Sequence, residues 1–489
     1  MSAYDELMAY EGVTQALGSV AGRTGWDQET MMPPGAAEQR AEELAAMEEV
    51  LHARRTNPMV GDLLASAKAE DEVAAANLRL IKRSYDRTTK IPADLATALA
   101  RHTSKGQGIW AEARSENDMA KFAPVLTETI RLKREEAACL SVGGDVYDAL
   151  LEDYEPGITG AELSARFDRM RPRLVDLRAR VLEARAPQAL DHTFDEDGQM
   201  ALTTMLAEAF GYDLSTGRID KAVHPFSSGS GTDVRITTRT SARDPFNSIY
   251  STIHEVGHAC YEQAIDHAHL LTPVGSGVSM GVHESQSRIY ENQLARSRAF
   301  TGWLFGQMRD RFGDFGVADE DAFYGVVNRV GSGFIRTEAD EVHYNLHVML
   351  RFDLERKLIA GDLEVADLEA AWNERFEADF GVAVDKPANG VLQDVHWSFG
   401  LFGYFPTYSL GNVYAGCLHQ SLRAAIPDLD TQLSTGDTSA ATGWLRQNLQ
   451  QYGGLREPRD TIIHACGFEP TEAPLLDYLD DKFGALYGV

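Results

Sequence analysis

Two imidazoles and a carboxylate fall within five residues at His254-Glu255-Val256-Gly257-His258. On a helix, side chains four apart leave the same face, so His254 and His258 can bind one metal ion together. Glu255 would then face the open side of that ion. A carboxylate there can take a proton from the attacking water and return it to a leaving amine. This is the pattern of a zinc-type peptidase, and its bland alternative is an amphipathic helix with two hydrogen-bonded histidines. A site with one open position needs a third protein donor, commonly a carboxylate from a second helix. The stretch Gly281 to Asn292 offers Glu284 and Glu291, seven apart and on one helix face, so spacing leaves both open. His283 points elsewhere on such a helix.

The elements that must position these groups have their own signals. Asp244-Pro245 supplies an N-cap acceptor followed by proline at the first helical position, where its missing N–H costs nothing. Phe246, Ile249, Ile253 and Val256 recur at helical spacing and predict a buried stripe beside the histidine face. Upstream, Asp233 to Thr240 is rich in β-branched residues and follows the turn-like Ser227-Ser228-Gly229-Ser230-Gly231. That strand would either align an extended peptide by strand addition or serve as a short structural hairpin. Helical periodicity dominates elsewhere, as in Ala41, Leu44, Met47 and Leu51, and in Leu174, Leu177 and Val181 after Pro172. A second histidine pair, His343 and His347, has no catalytic glutamate after its first member. It reads as a pair that lines the site or orients ligands rather than as a second metal centre.

Composition narrows the class. The formal charge of −28 opposes binding to nucleic acid or anionic membranes, both of which call for basic surface. No stretch approaches the ~18 apolar residues of a membrane span. Met1 to Tyr10 carries Asp5 and Glu6 in place of a basic start and apolar run, which argues against a signal peptide. Cys139, Cys260, Cys417 and Cys466 are scattered without paired spacing, so neither a disulfide framework nor a cysteine metal site is expected. A cytoplasmic protein is the economical reading. Length alone would allow about three domains. No linker divides the chain, however, and one peptidase domain over residues 1–489 is expected.

His283-Glu284-Ser285-Gln286, at its distance from His254–His258, resembles the carboxypeptidase Taq family of metallocarboxypeptidases. Further pieces match that family in order: Trp26-Asp27 through Met32-Pro33, His224-Pro225-Phe226, Asp233 to Thr237, Ile335 to Asp340, and Gly390 to Trp397. The resemblance spans essentially the whole chain and selects Glu284 as the third ligand beside His254 and His258. It implies a mostly helical body split by a deep groove, like neurolysin and angiotensin-converting enzyme, with a small sheet beside the metal helix. It also implies a homodimer and one divalent ion per chain, zinc first, with cobalt or manganese as alternatives.

The expected activity is release of single residues from peptide C-termini with broad specificity, with Glu255 as the base. His396 and Tyr408 are the candidates for stabilising the oxyanion, since related peptidase folds place a histidine and a following tyrosine there; Tyr404 is the alternative tyrosine. A carboxypeptidase must also hold the terminal carboxylate, usually by an arginine fork. Arg336 is the first choice, because the resemblance associates its motif with the substrate C-terminus; Arg235 and Arg351 are the other candidates. Two further readings stay open: an endo-acting oligopeptidase with the same metal chemistry, and a non-catalytic peptide-binding protein. The presence of Glu255 argues against the latter.

Overall fold

A computed structural model describes residues 2–489, and among these the chain forms twenty α-helices and one three-stranded sheet. The chain divides into two compact units, each assembled from three segments. The first unit comprises the residues up to Thr89, Pro187–Asn328 and Tyr414–Pro470. The second comprises Lys90–Ala186, Arg329–Val413 and Thr471–Val489. No helix among the described residues is long and apolar enough to cross a membrane.

In the first unit, β1 (Gly217–Lys221), β2 (Ser227–Ser230) and β3 (Asp233–Thr238) form a sheet in the order β1-β3-β2. β1 runs parallel and β2 antiparallel to β3. Val234 and Ile236 of the central strand are fully buried, each contributing about 1.5–3 kcal/mol. The strand expected to reach Thr240 ends at Thr238, from which the chain turns toward the next helix start. There Asp244 accepts from the N–H groups of Phe246 and Asn247, and Pro245 opens the helix Pro245–Ala264. This helix lies on β3: Thr252 Oγ1 donates to Thr238 Oγ1 at 2.8 Å. Of its expected stripe, Ile249, Ile253 and Val256 are fully buried and Phe246 is half-buried.

The helix Met280–Arg288 starts at Ser279, whose hydroxyl accepts from Val282 N–H. It continues as a π-helix over Ile289–Ala295, a wider turn that changes which face the following residues present. The expected stripe on the helix Ala37–Arg55 is only partly covered: Leu51 is buried, Leu44 and Met47 are half-buried and Ala41 is exposed.

The second unit is built from helices around an extensive apolar core. Leu174, Leu177 and Val181 are buried on the helix Gly160–Glu183, which begins at a Thr159/Glu162 capping box. Pro172 therefore lies inside that helix, not at its start, at the cost of one backbone hydrogen bond. The helix Glu341–Ala360 is buried on nearly every face, with Asp340 capping its start and Gly361 (φ 87°) ending it. It carries His347, Arg351 and Glu355 into the interior, where polar groups must find partners inside the protein.

Candidate metal centre and associated residues

His254, His258 and Glu284 each present one donor atom, and the three atoms lie within 4.8 Å of one another. Glu284 Oε2 is 3.7 Å from His254 Nε2 and 3.4 Å from His258 Nε2. Donors about 2.0–2.1 Å from a tetrahedral zinc stand roughly 3.3 Å apart, close to the two distances from Glu284 Oε2 to the histidines. Gly257 makes the approach possible. A Cβ there would lie 2.6 Å from the Gln286 carbonyl and from Ser287 Cα, so only glycine lets the two helices come this close.

The far side of each donor is held. His254 Nδ1 lies 3.0 Å from Glu291 Oε2. His258 Nδ1 lies 2.6 Å from His283 Nδ1, and His283 Nε2 lies 3.0 Å from Glu262 Oε1. One proton arrangement satisfies both contacts: His258 Nδ1–H donates to His283, and His283 Nε2–H donates to Glu262. That arrangement leaves the Nε2 lone pair of His258 free for a cation. Arg288 donates to Glu284 Oε1 at 2.7 Å and to Glu291 Oε2 at 3.3 Å, fixing both carboxylates.

The electrostatics of these groups differ one from another. Burial would raise the Glu284 carboxyl, but Arg288, His254 and His258 outweigh it and hold it well below the usual range. Glu291 falls to about 2 in the same way, with His254, Arg288 and Arg296 overcoming burial. Burial drives His258 down to about 3 and keeps it neutral, the state a ligand needs. His254 moves the other way, because Glu284 and Glu291 together outweigh its burial. Buried Glu255 is pushed up to about 7 by desolvation, with Glu284 and Glu291 adding to the rise and His254 opposing it.

In the second unit, Arg336 and Arg351 meet at Asp394. Arg336 Nε and Nη2 donate to Asp394 Oδ1 at 3.0 and 2.9 Å, and its Nη1 reaches Tyr344 Oη at 3.3 Å. Arg351 Nε donates to Asp394 Oδ2 at 2.7 Å, and Nη1 donates to the His347 carbonyl at 2.7 Å. Burial would raise Asp394, but the two guanidiniums hold it far below the ordinary carboxylate range. His396 Nε2 is 3.2 Å from Tyr408 Oη, and burial lowers this imidazole to about 3. The Tyr404 ring packs 5.2 Å from Tyr408 and 5.6 Å from His396. Arg235 belongs to the first unit; it is paired with Asp233 at 2.7 Å, and its guanidinium stands 4.6 Å over the Trp26 ring.

His343 and His347 do not form a metal site. His343 Nδ1 faces Asp340, and its Nε2 accepts from Arg178 Nε at 3.1 Å, which puts a guanidinium where a cation would be needed. Both ring nitrogens of fully buried His347 lack hydrogen-bond partners.

Sequence reasoning set His283 aside as pointing elsewhere, and it missed Glu262, Arg288 and Asp394. His283 does face away from Glu284, yet that direction leads to the back of His258. Glu291, weighed as a ligand, lies behind His254. The His-Glu dipeptide at 283–284 was the one available signal for a supporting histidine.

The profile of the family described as carboxypeptidase Taq (M32) metallopeptidase matches residues 6–483. Thermostable carboxypeptidase 1 of Thermus thermophilus is 39% identical, with 100% of this chain and 99% of that protein covered. Carboxypeptidase 1 of Bacillus subtilis is 33% identical over 94% of each chain. The crystal structure of the M32 carboxypeptidase from Deinococcus radiodurans superposes with a TM-score of 0.97, at 38% identity and full coverage of both chains.

Proposed function

The chain belongs to the carboxypeptidase Taq (M32) family of metallopeptidases and is a metal-dependent carboxypeptidase, and from that premise we propose how its residues divide the work. One divalent ion, zinc before cobalt or manganese, is held by His254, His258 and Glu284. The observation that carries this reading is the convergence of these three donors, each fixed from behind. When bound, such an ion polarises the scissile carbonyl and makes water a stronger acid.

Glu255 is the general base. Burial raises its carboxyl, which makes it a stronger base for taking a proton from water and passing it to the departing amine. Tyr408 donates to the developing oxyanion: its hydroxyl lies 3.2 Å from His396 Nε2, and this contact orients the phenol. Tyr404 lines the substrate beside it. Arg336 anchors the terminal carboxylate in preference to Arg351, which is wholly enclosed, and to Arg235, which is clasped by Asp233. Broad residue preference, a homodimeric state and a cytoplasmic setting complete the proposal; light scattering on the purified protein tests the second of these.

One observation favours the endopeptidase reading: Asp394 already occupies both Arg336 and Arg351. A single peptide, as free acid and as C-terminal amide, separates the two by mass spectrometry on metal-loaded enzyme. Stepwise loss of single residues from the free acid alone is expected. Internal fragments from both forms would transfer the weight to endo-cleavage.

A further inference from the structure

Glu355 is a fully buried carboxylate with no lysine or arginine hydrogen-bonded to it. Such a group is costly to bury, and a methionine or leucine of similar size would fill the space without that cost. Three donors from three elements surround it. Tyr147 Oη, on the helix Val146–Leu151, donates to Oε2 at 2.7 Å. Trp397 Nε1, in the short helical turn His396–Phe399, donates to Oε1 at 2.8 Å. Gly403 N–H, just before the helix Phe405–Ala425, donates to Oε2 at 3.1 Å.

The last two donors delimit the segment 397–403. His396 immediately precedes that segment, and Tyr408 lies in the first turn of the helix that follows it. Aromatic packing transmits the constraint: the Trp397 ring stacks on Phe402, and Phe405 packs 4.4 Å from His396. Gly403 has little freedom to compensate. Its φ is +88°, and a Cβ would lie 2.9 Å from the Leu150 carbonyl carbon.

We infer that Glu355 is a positioning residue for the reaction: by holding Trp397 and Gly403 together it fixes the His396 imidazole and the Tyr408 hydroxyl. This rests on the reading of Tyr408 and His396 given above. Glutamine is the informative replacement, because its NH₂ must confront a hydrogen-bond donor wherever it turns.

The test is a double-mutant cycle on the metal-loaded, full-length enzyme, comparing Glu355→Gln, Tyr408→Phe and the pair, with kcat and KM on one free-acid peptide. Displacing a reacting group by about an ångström costs roughly 10²-fold, so Glu355→Gln should lower kcat by about that factor. KM should stay within about twofold and metal content should be unchanged, because the loss is confined to the transition state. In the Tyr408→Phe background the same change should cost less than about threefold, since the two act as a unit. Trp397→Phe, which keeps the carboxylate and deletes one donor, should reproduce this non-additivity with a loss of about tenfold, and it decides the matter if Glu355→Gln does not fold. Unchanged kcat in both variants, or full additivity with Tyr408→Phe, would overturn the inference. Wild-type kcat in Tyr408→Phe and His396→Ala would overturn the underlying assignment instead, and the single variants reveal that on their own.

Discussion

In the first unit, the carboxylates of Glu284 and Glu291 flank His254, with Arg288 between them. In the second, the single carboxylate of Asp394 is shared by Arg336 and Arg351. Both clusters are buried, yet they are built differently. The first directs lone pairs at one point, with Arg288 and Arg296 holding Glu291 behind His254. The second has two guanidiniums for one carboxylate and carries surplus positive charge. Among their imidazoles only His254 is raised, by its acidic neighbours; His258 beside it, and His347 and His396 in the second cluster, are driven down by burial, with Arg351 and Arg336 adding to the effect on the latter two. Buried charge in this protein thus gathers carboxylates and imidazoles in one unit and two guanidiniums around one carboxylate in the other, and the cation and carboxylate roles proposed above rest on that difference.

The largest expected effect tests whether the first cluster is catalytic as well as cation-binding. Glu255→Gln removes the proton acceptor and leaves the three donors in place. It should lower kcat by about 10²–10⁴-fold, with the bound metal unchanged by elemental analysis. Substantial activity with a full metal complement would mean that another group takes the proton.

The second cluster is tested through its centre. Asp394→Ala leaves Arg336 and Arg351 facing each other without a counter-charge, and breaking a buried pair from one side costs about 3–5 kcal/mol. Urea unfolding at neutral pH measures this. A loss under about 1 kcal/mol, the scale of an exposed pair, would show that water reaches the guanidiniums and that Asp394 does not hold them.

The two clusters were unequally legible in the sequence. His254, His258 and the cap at Asp244-Pro245 are local patterns whose geometry follows from helical periodicity, and they appear where periodicity puts them. Glu284 and Glu291 share a phase seven residues apart, so spacing left both open and only the family resemblance chose Glu284; in the structure the chain turns π-helical at Ile289, and Glu291 lies behind His254 while Glu284 faces both histidines. The Arg336–Asp394–Arg351 triad joins residues far apart in the chain, which no spacing rule connects. Glu355 illustrates the general difficulty. In so acidic a chain a glutamate is by default a solvated one, and only the burial of its helix on nearly every face reverses that expectation.

A smaller effect separates the clusters by pH. His347 is fully buried without partners, and burial, reinforced by Arg351, His343 and Arg336, holds its pKa well below 6.5. The unfolded chain binds a proton below about 6.5 while the folded chain does not, so stability falls as pH drops through that value. Between pH 7 and 5 one such group costs about 2 kcal/mol. His347→Phe should remove that share of the acid destabilisation. The opposing contribution of Glu355, raised to about 7 and therefore less stabilising as pH rises from 4.5, is common to both proteins and cancels in the difference. Parallel stability curves for the two proteins would show that His347 becomes protonated in the folded state.

The smallest effect belongs to the outermost member of the first cluster. Glu262 touches no proposed ligand; it accepts from His283, which in turn backs His258. If the proton sits on His258 Nδ1, as a ligand lone pair on Nε2 requires, His283 must accept at Nδ1 and hold its own proton on Nε2 against Glu262. Glu262→Gln keeps the shape and an acceptor oxygen but removes the negative charge that favours this proton order. The metal dissociation constant, measured by chelator competition, should rise about tenfold, with little change in unfolding free energy of the metal-free protein. An unchanged constant would mean that His258 is oriented by packing alone and that the His258–His283–Glu262 chain adds nothing to cation binding. In that event the first cluster would owe its affinity to Glu291 and Arg288, on the side of His254, and its two histidines would be supported unequally.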